Sequence, residues 1–300
     1  MIHLGVEKNM GYRMLKMYDL VSRGEPLKKG LLMEQFGVTA KTFQRDLEDL
    51  RGYIAETGGG EIKYSKANNE YCLERSDGAV LSQQEMLGLC KILIESRAFN
   101  KAEFGSLIQK LLLQLPGNSR KAVEDIIRNE RHYYMALQHG KPLLNSIWDL
   151  SGLINQQQII SICYMRHDGT ERTHNVKPVG IMFSEFYFYL ITYIDGKDRP
   201  TVFRIDRIKS YAPIGERFSV PYGERFSEAE FRKRVQFMFA GDLRRVRFIY
   251  KGALEAVLDK LPTSEVIGKS DDGFPVLTAE VFGTGIDVWI RAQGKLLEVL

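Results

Sequence analysis

Residues 186–208 restrict this chain more than any other stretch. Phe186 to Ile194 is an almost unbroken run of aromatic and β-branched residues, and after a turn Thr201 to Ile208 repeats the pattern with Arg204 and Arg207 inside it. Such composition favours two paired strands. Pairing them sets arginines beside tyrosines, an arrangement suited to holding an anion, because guanidinium forks match phosphate oxygens and aromatic rings stack on flat ligands.

The surrounding sequence supplies partners for that hairpin. A helix at 143–154 has Leu143, Leu144, Ile147, Trp148 and Leu150 to bury. Strand-like alternation then runs over Gln158–Arg166, Asp168-Gly169 turns the chain, and Val176–Phe183 and Ile208–Ile214 add further strands. One helix followed by five short strands joined by tight turns suits a small, strongly bent antiparallel barrel, which removes exposed edges.

The N-terminal stretch reads differently. Met14, Leu15, Tyr18 and Val21 recur with a helical period, and Leu31, Leu32 and Phe36 mark a second short helix. Gly37-Val38-Thr39 then offers a left-handed glycine and a capping threonine before a third helix with Phe43, Leu47, Leu50 and Ile54 inward. Lys41, Gln44, Arg45 and Glu48 point outward. Helix, tight turn, helix is the pattern of DNA-reading modules, whose second helix contacts bases mainly through its first turn. Lys41 and Gln44 are the base-contact candidates, Thr42 and Arg45 the phosphate candidates. Acidic Asp46, Glu48 and Asp49 crowd the next turn. Gly58-Gly59-Gly60, strands at Glu61–Ser65 and Glu70–Glu74 and the polar turn between them give a β-ribbon.

Residues 76–140 read as helical. Ser82-x-x-Glu85 is a capping box, followed by Met86, Leu87, Leu89, Cys90, Leu93 and Ile94; Phe104 to Leu115 forms another stripe, and Ser119–Arg128 a further short helix after Pro116-Gly117. This segment is too small to fold alone, which suggests a homodimer or an intramolecular spacer. A second capping box, Ser227-x-x-Glu230, precedes strand, helix, strand, strand, helix, strand over 246–300, the ferredoxin-like order.

Three cysteines, at 72, 90 and 163, are too few and too scattered for a disulfide framework or zinc site and read as buried thiols. The five histidines, at 3, 132, 139, 167 and 174, lack metal-ligand spacing, and no nucleophile elbow or Walker loop is present. Gly283-Thr284-Gly285 is at most a weak echo of a phosphate loop. No enzyme and no cofactor is therefore expected. No run reaches the roughly 18 apolar residues of a membrane span, and the first residues, with Glu7 among them, lack a signal-peptide core, so a cytoplasmic protein without membrane contact is expected. A net charge of +4 allows a polyanionic partner without requiring one.

Two family resemblances rest on these residues. Gly37 to Leu47 resembles the recognition element of DeoR-type winged helices, with Thr42, Arg45, Asp46 and Leu47 matching its Thr-x-x-Arg-Asp-Leu core. Phe188-Tyr189-Leu190 and Phe203-Arg204-Ile205-Asp206-Arg207-Ile208 resemble the signature of the WYL family, with Phe188 in place of the eponymous tryptophan. The resemblance implies an α+β multidomain protein: a winged helix-turn-helix over 1–75, a helical connector over 76–140 with possible dimerisation, a WYL Sm-like β-barrel over 141–225 and a ferredoxin-like C-terminal extension over 226–300. It also implies a ligand-responsive bacterial transcription regulator binding a double-stranded operator, with a single-stranded nucleic acid or nucleotide-like effector. Carried over, the effector residues are Tyr164, Tyr189, Arg204 and Arg207, with His174 and Lys177. The alternatives are a small-metabolite effector, or a protein-interaction platform without ligand.

Overall fold

The computed structural model describes residues 9–57, 59–66, 68–74, 81–221, 223 and 225–300. His3, Glu7, Gly58, Ala67 of the ribbon turn and the boundary at residues 75–76 lie outside them. The fold is α+β, with helices leading and antiparallel sheets following. The chain divides into two compact units: Met1–Glu95 with Lys101–Met135, and Ser96–Asn100 with Ala136–Leu300. Among the described residues no helix is long and apolar enough to cross a membrane.

The first unit opens with α1 (Met10–Ser22), α2 (Lys29–Phe36) and α3 (Ala40–Glu56), then the antiparallel ribbon β1 (Glu61–Ser65) and β2 (Glu70–Glu74). The α2–α3 turn forms as its residues dictate: Gly37 has φ of 67°, and the Thr39 hydroxyl accepts the Thr42 amide at 3.3 Å. On α3, Phe43, Leu47, Leu50 and Ile54 are all buried, joined by Met17, Val21, Leu27, Leu32, Phe36 and Ile62 in one core. Leu27 also exchanges two backbone hydrogen bonds with Tyr71, adding a bridge beside the ribbon.

Helix α1 departs from the expected stripe. Arg13, Met17 and Val21 face inward, whereas Leu15 and Tyr18 are exposed, as is Leu31 on α2. The cause is Asp46. This carboxylate is buried against α1, so an arginine takes an inward position that an apolar count assigns to solvent.

Helices α4 (Gln83–Ser96), α5 (Lys101–Leu112) and α6 (Gly117–His132) follow. The Ser82 box closes in both directions: the Ser82 amide donates to Glu85 at 2.8 Å, and the Glu85 amide donates to the Ser82 hydroxyl at 3.2 Å. Met86, Cys90, Phe104, Ile108, Leu112, Val123 and Ile127 are buried. Leu89 and Ile92 on α4 stay exposed. Pro116-Gly117 starts α6 rather than separating it from a shorter helix, because proline before the first turn forfeits no helical hydrogen bond.

The second unit contains α7 (Leu144–Asn155) and strands β3 (Gln158–Met165), β4 (Glu171–Ser184), β5 (Tyr187–Tyr193), β6 (Thr201–Arg204) and β7 (Ile208–Arg217), with a 3-10 turn at Ile205–Arg207 between the last two. They form one antiparallel sheet in the order β6-β5-β4-β3-β7. Leu143 and Leu150 are buried as expected, but Leu144 is exposed and Trp148 is 79% exposed. Beyond lie α8 (Glu228–Arg234), β8 (Leu243–Tyr250), α9 (Leu254–Lys260), β9 (Glu265–Lys269), β10 (Pro275–Phe282), α10 (Gly285–Gln293) and β11 (Leu297–Val299). Their antiparallel sheet runs β11-β8-β10-β9. The second capping box is only half made: Ser227 accepts the Glu230 amide, while the Glu230 side chain turns to Lys233 and Arg234.

The glycines at 283 and 285 serve packing. A Cβ on Gly285 would lie 1.9 Å from the Gln236 carbonyl oxygen, and one on Gly283 would lie 2.3 Å from that of Phe239. The segment before β8 crosses here at backbone distance, which accounts for the motif without a phosphate.

Candidate functional site

On α3 the outward residues fall into two groups. Lys41 and Arg45 are exposed, and no hydrogen bond or ion pair engages either among the described residues. Gln44 is half-buried and donates its amide to Glu48 at 2.8 Å; Glu48 also accepts Arg51 at 2.8 Å. Thr42 lies in the capped first turn. Asp46 corrects the expectation of an acidic second turn: it is buried, and accepts Arg13 through both oxygens, at 2.6 and 3.1 Å. Hydrogen bonding to that carboxylate, with their mutual attraction, raises the Arg13 pKa despite the cost of burial. Glu48 and Asp49 remain exposed acids on this turn.

The six effector candidates do not share one pocket. Residues directly opposed in a sheet share a face, so the register sorts them. Ile162 opposes His174, Tyr164 opposes Arg172, and Leu190 opposes Phe203. Tyr164 and Phe203 belong to the core under α7, the Tyr164 ring meeting Phe203 edge-on at 4.9 Å and the His174 ring lying 5.5 Å from it. Burial, followed by the nearby charges of Lys197, Arg172 and Arg166, lowers the His174 pKa.

The other face of β5 and β6 carries Tyr189 opposite Arg204, packed toward Met182, Ile191 and Phe231 of α8. Here the Arg204 guanidinium lies over the Tyr187 ring, 3.4 Å from its centroid, and donates twice to Asp206, at 3.0 and 2.7 Å. Burial pushes the Tyr189 phenol up, with Arg204 opposing it. Asp206 therefore pairs with Arg204 rather than with its neighbour Arg207, and Tyr187 is the platform for that guanidinium. Arg207 is half-buried with no polar partner among the described residues. Lys177 points away from Val176 and pairs with Asp195 at 2.5 Å.

The matching residues now have an architecture: a helix, then five antiparallel strands whose β5–β6 pair brings Tyr189 opposite Arg204. Residues 148–213 match the family of the WYL domain. This chain contains a WYL domain. A comparison with curated protein sequences finds no match. Among solved structures it is similar to proteasome accessory factor B/C (PafBC) of Arthrobacter aurescens, with 14% identity, covering 98% of this chain and 45% of that one, at a TM-score of 0.31. It is also similar to a CRISPR Cas-related protein, with 14% identity, covering 75% of this chain and 70% of that one, at a TM-score of 0.36. This chain thus spans under half the length of PafBC.

In the WYL domain, Phe188 stands where the eponymous tryptophan would be and packs on Phe183, directly opposite it on β4, and on Phe99, with ring centroids 5.1 and 5.7 Å apart. Sequence reasoning missed Arg172, Lys197 and Phe203 around His174. The alternation rule that places Tyr164 and Arg172 on one face would have found Arg172; Lys197 comes from a turn and carries no such signal. Of the three thiols only Cys90 is buried. Cys72 and Cys163 are partly covered, and Cys163 donates to Glu171 at 3.5 Å.

Proposed function

We propose that the chain is a cytoplasmic, non-enzymatic, ligand-responsive transcription regulator. In this reading α1–α3 with the β1–β2 ribbon act as a winged helix-turn-helix, the WYL domain as an Sm-like sensing barrel and β8–β11 as a ferredoxin-like extension. Two subunits read the halves of a double-stranded operator. The observation that carries DNA binding is the pair of cations, Lys41 and Arg45, without side-chain partners among the described residues, on the exposed face of a capped helix whose buried acid, Asp46, is already neutralised by Arg13. Thr42 and Gln44 complete the contacting turn. The sheet order β11-β8-β10-β9 supports the ferredoxin-like reading.

The effector is a single-stranded nucleic acid or nucleotide-like anion. The Tyr164, His174 and Phe203 rings offer stacking surfaces, while Arg172, Lys197 and Arg207 supply charge that no carboxylate in the described residues takes up. Selection of duplex sequences from a random library by the full chain tests the DNA role: enrichment of a motif that Lys41→Ala and Arg45→Ala both weaken is expected, and no enrichment refutes it. Binding of a labelled single strand across a salt series, lost in Arg172→Ala, tests the effector class.

A further inference from the structure

The stretch Ser96–Asn100 joins α4 to α5, yet it belongs to the compact unit of the WYL domain rather than to that of the helices it connects. Its backbone is strained. Arg97 has φ of 50°, a left-handed conformation that disfavours a non-glycine residue. That turn places three successive side chains onto the domain. The Arg97 guanidinium lies over the Phe186 ring at 5.3 Å, Ala98 is 2% exposed, and the Phe99 ring meets Phe188 at 5.7 Å.

The chain's later passage between units docks at the same hairpin. Asn100 donates to the Gly140 carbonyl at 3.3 Å, tying the two linking segments together, and the Lys141 ammonium donates to the Asp206 carbonyl at 2.6 Å. Asp206 is the residue whose side chain holds Arg204, and Phe203, three residues earlier, is the ring against which Tyr164 and His174 lie. One segment of chain, Phe203 to Asp206, therefore touches the candidate effector rings, the Arg204 fork and a linker.

We propose that Ser96–Asn100 and the segment around Gly140-Lys141 form a two-point clasp on the β5–β6 hairpin, and that this clasp carries the hairpin's state to α4 and α5. Phe99 and Lys141 are positioning residues: they touch no effector, and they set where α4 ends and α5 begins. Phe188 in place of tryptophan suits this role, since a ring without an N–H packs against Phe99 without a polar group to satisfy. The inference rests on the sensing role proposed above, because a ligand shifts a conformation only through unequal binding to two states.

The test is hydrogen–deuterium exchange on the full-length protein. Asp206→Asn loosens the Arg204 fork without ligand; it is expected to speed exchange severalfold in 96–100, in 136–141 and in the adjoining ends of α4 and α5, with β8–β11 unchanged as the control for folding. Adding Phe99→Ala, or Lys141→Ala where Phe99→Ala fails to fold, is expected to abolish the α4 and α5 response and keep the response within the hairpin. Unchanged exchange over 96–100 in Asp206→Asn, or an undiminished α4 and α5 response in the clasp variants, overturns the proposal. A parallel arm adds labelled oligothymidylate to the wild type, expected to shift the same peptides. Failure of oligothymidylate to bind removes the sensing reading for single strands, while the Asp206→Asn arm still decides the clasp.

Discussion

The Arg204 guanidinium carbon lies over Tyr187, 3.4 Å from the ring centroid, while two of its nitrogens donate to Asp206. Stacking and bidentate pairing use the two features that separate arginine from lysine. Any anion approaching Arg204 would therefore meet a guanidinium that is already satisfied on one face and along one edge, and Arg204 is first a structural residue of the hairpin.

That changes what its removal should do. Arg204→Ala leaves the Asp206 carboxylate, whose side chain is 4% exposed, without its partner, and breaking a buried pair from one side costs about 3 kcal/mol. The expected result is a lowered melting temperature together with any loss of effector binding. Arg207→Ala breaks no hydrogen bond or ion pair among the described residues and should cost well under the Arg204 change, within about 1 kcal/mol of the parent, while still weakening anion binding if Arg207 contributes charge there. Thermal melts beside oligonucleotide titrations of both variants separate the two roles; equal melting temperatures would show that the Asp206 pairing adds nothing to stability.

The same reasoning applies to Arg13 and Asp46. Arg13→Ala should cost about 3 kcal/mol by stranding Asp46 between α1 and α3, whereas the double change Arg13→Met with Asp46→Leu should recover most of it, because well-packed apolar groups replace buried ion pairs at little cost. Urea melts followed by helical circular dichroism read the difference. Recovery is the informative outcome: a double variant as unstable as Arg13→Ala would mean that the site cannot repack.

These two pairs also mark the limit of what the sequence makes legible. Phe43, Leu47, Leu50 and Ile54 announce the inward face of α3 because apolar spacing encodes it, and the five strands of the WYL domain follow from aromatic and β-branched runs. Asp46 and Arg13 were unreadable: they are 33 residues apart, and an ion pair buried between helices leaves no periodic mark. Trp148 failed in the opposite sense, since an apolar side chain on a helix is expected inside and here faces solvent. The candidate effector residues do not fall together in the structure: Tyr164 and His174 lie with Phe203, and Tyr189 and Arg204 on the other face. Strand alternation already separates Tyr189 from Leu190; which face each strand turns toward which core depends on β4 pairing with both β3 and β5, a long-range fact.

His174 gives a pH dependence with a definite sign. Its folded pKa lies below the ordinary value, chiefly through burial and then through Lys197, Arg172 and Arg166. Above the unfolded pKa of about 6.5 both states hold neutral imidazole and nothing is lost. Below it the unfolded chain binds a proton that the folded chain resists, so stability falls as pH drops toward the folded pKa. An anion bound beside His174 favours the imidazolium, so effector affinity should rise over the same interval. Replacing His174 by Asn should flatten both trends. Opposite slopes for stability and affinity in the wild type are the result to look for; a parallel fall of both would place the anion elsewhere.

On α3 the outcome turns on Glu48, which occupies the Gln44 amide and Arg51 at once. Reading a base through Gln44 requires releasing that hydrogen bond, and the carboxylate also repels nearby phosphates. Glu48→Ala should therefore tighten duplex binding at low salt. Arg45→Ala, which removes a phosphate-contact candidate with no side-chain partner among the described residues, should weaken binding to all sequences alike and reduce the salt slope by about 1. Gln44→Ala should instead cost about 1–3 kcal/mol of discrimination at one base pair with the salt slope unchanged. Fluorescence anisotropy on a selected duplex and its single-base variants, repeated across salt, distinguishes the three. If Gln44→Ala lowered affinity uniformly and Arg45→Ala altered sequence preference, their assignments as base reader and charge contact would be exchanged, and the first turn of α3 would enter the groove rotated toward Arg45.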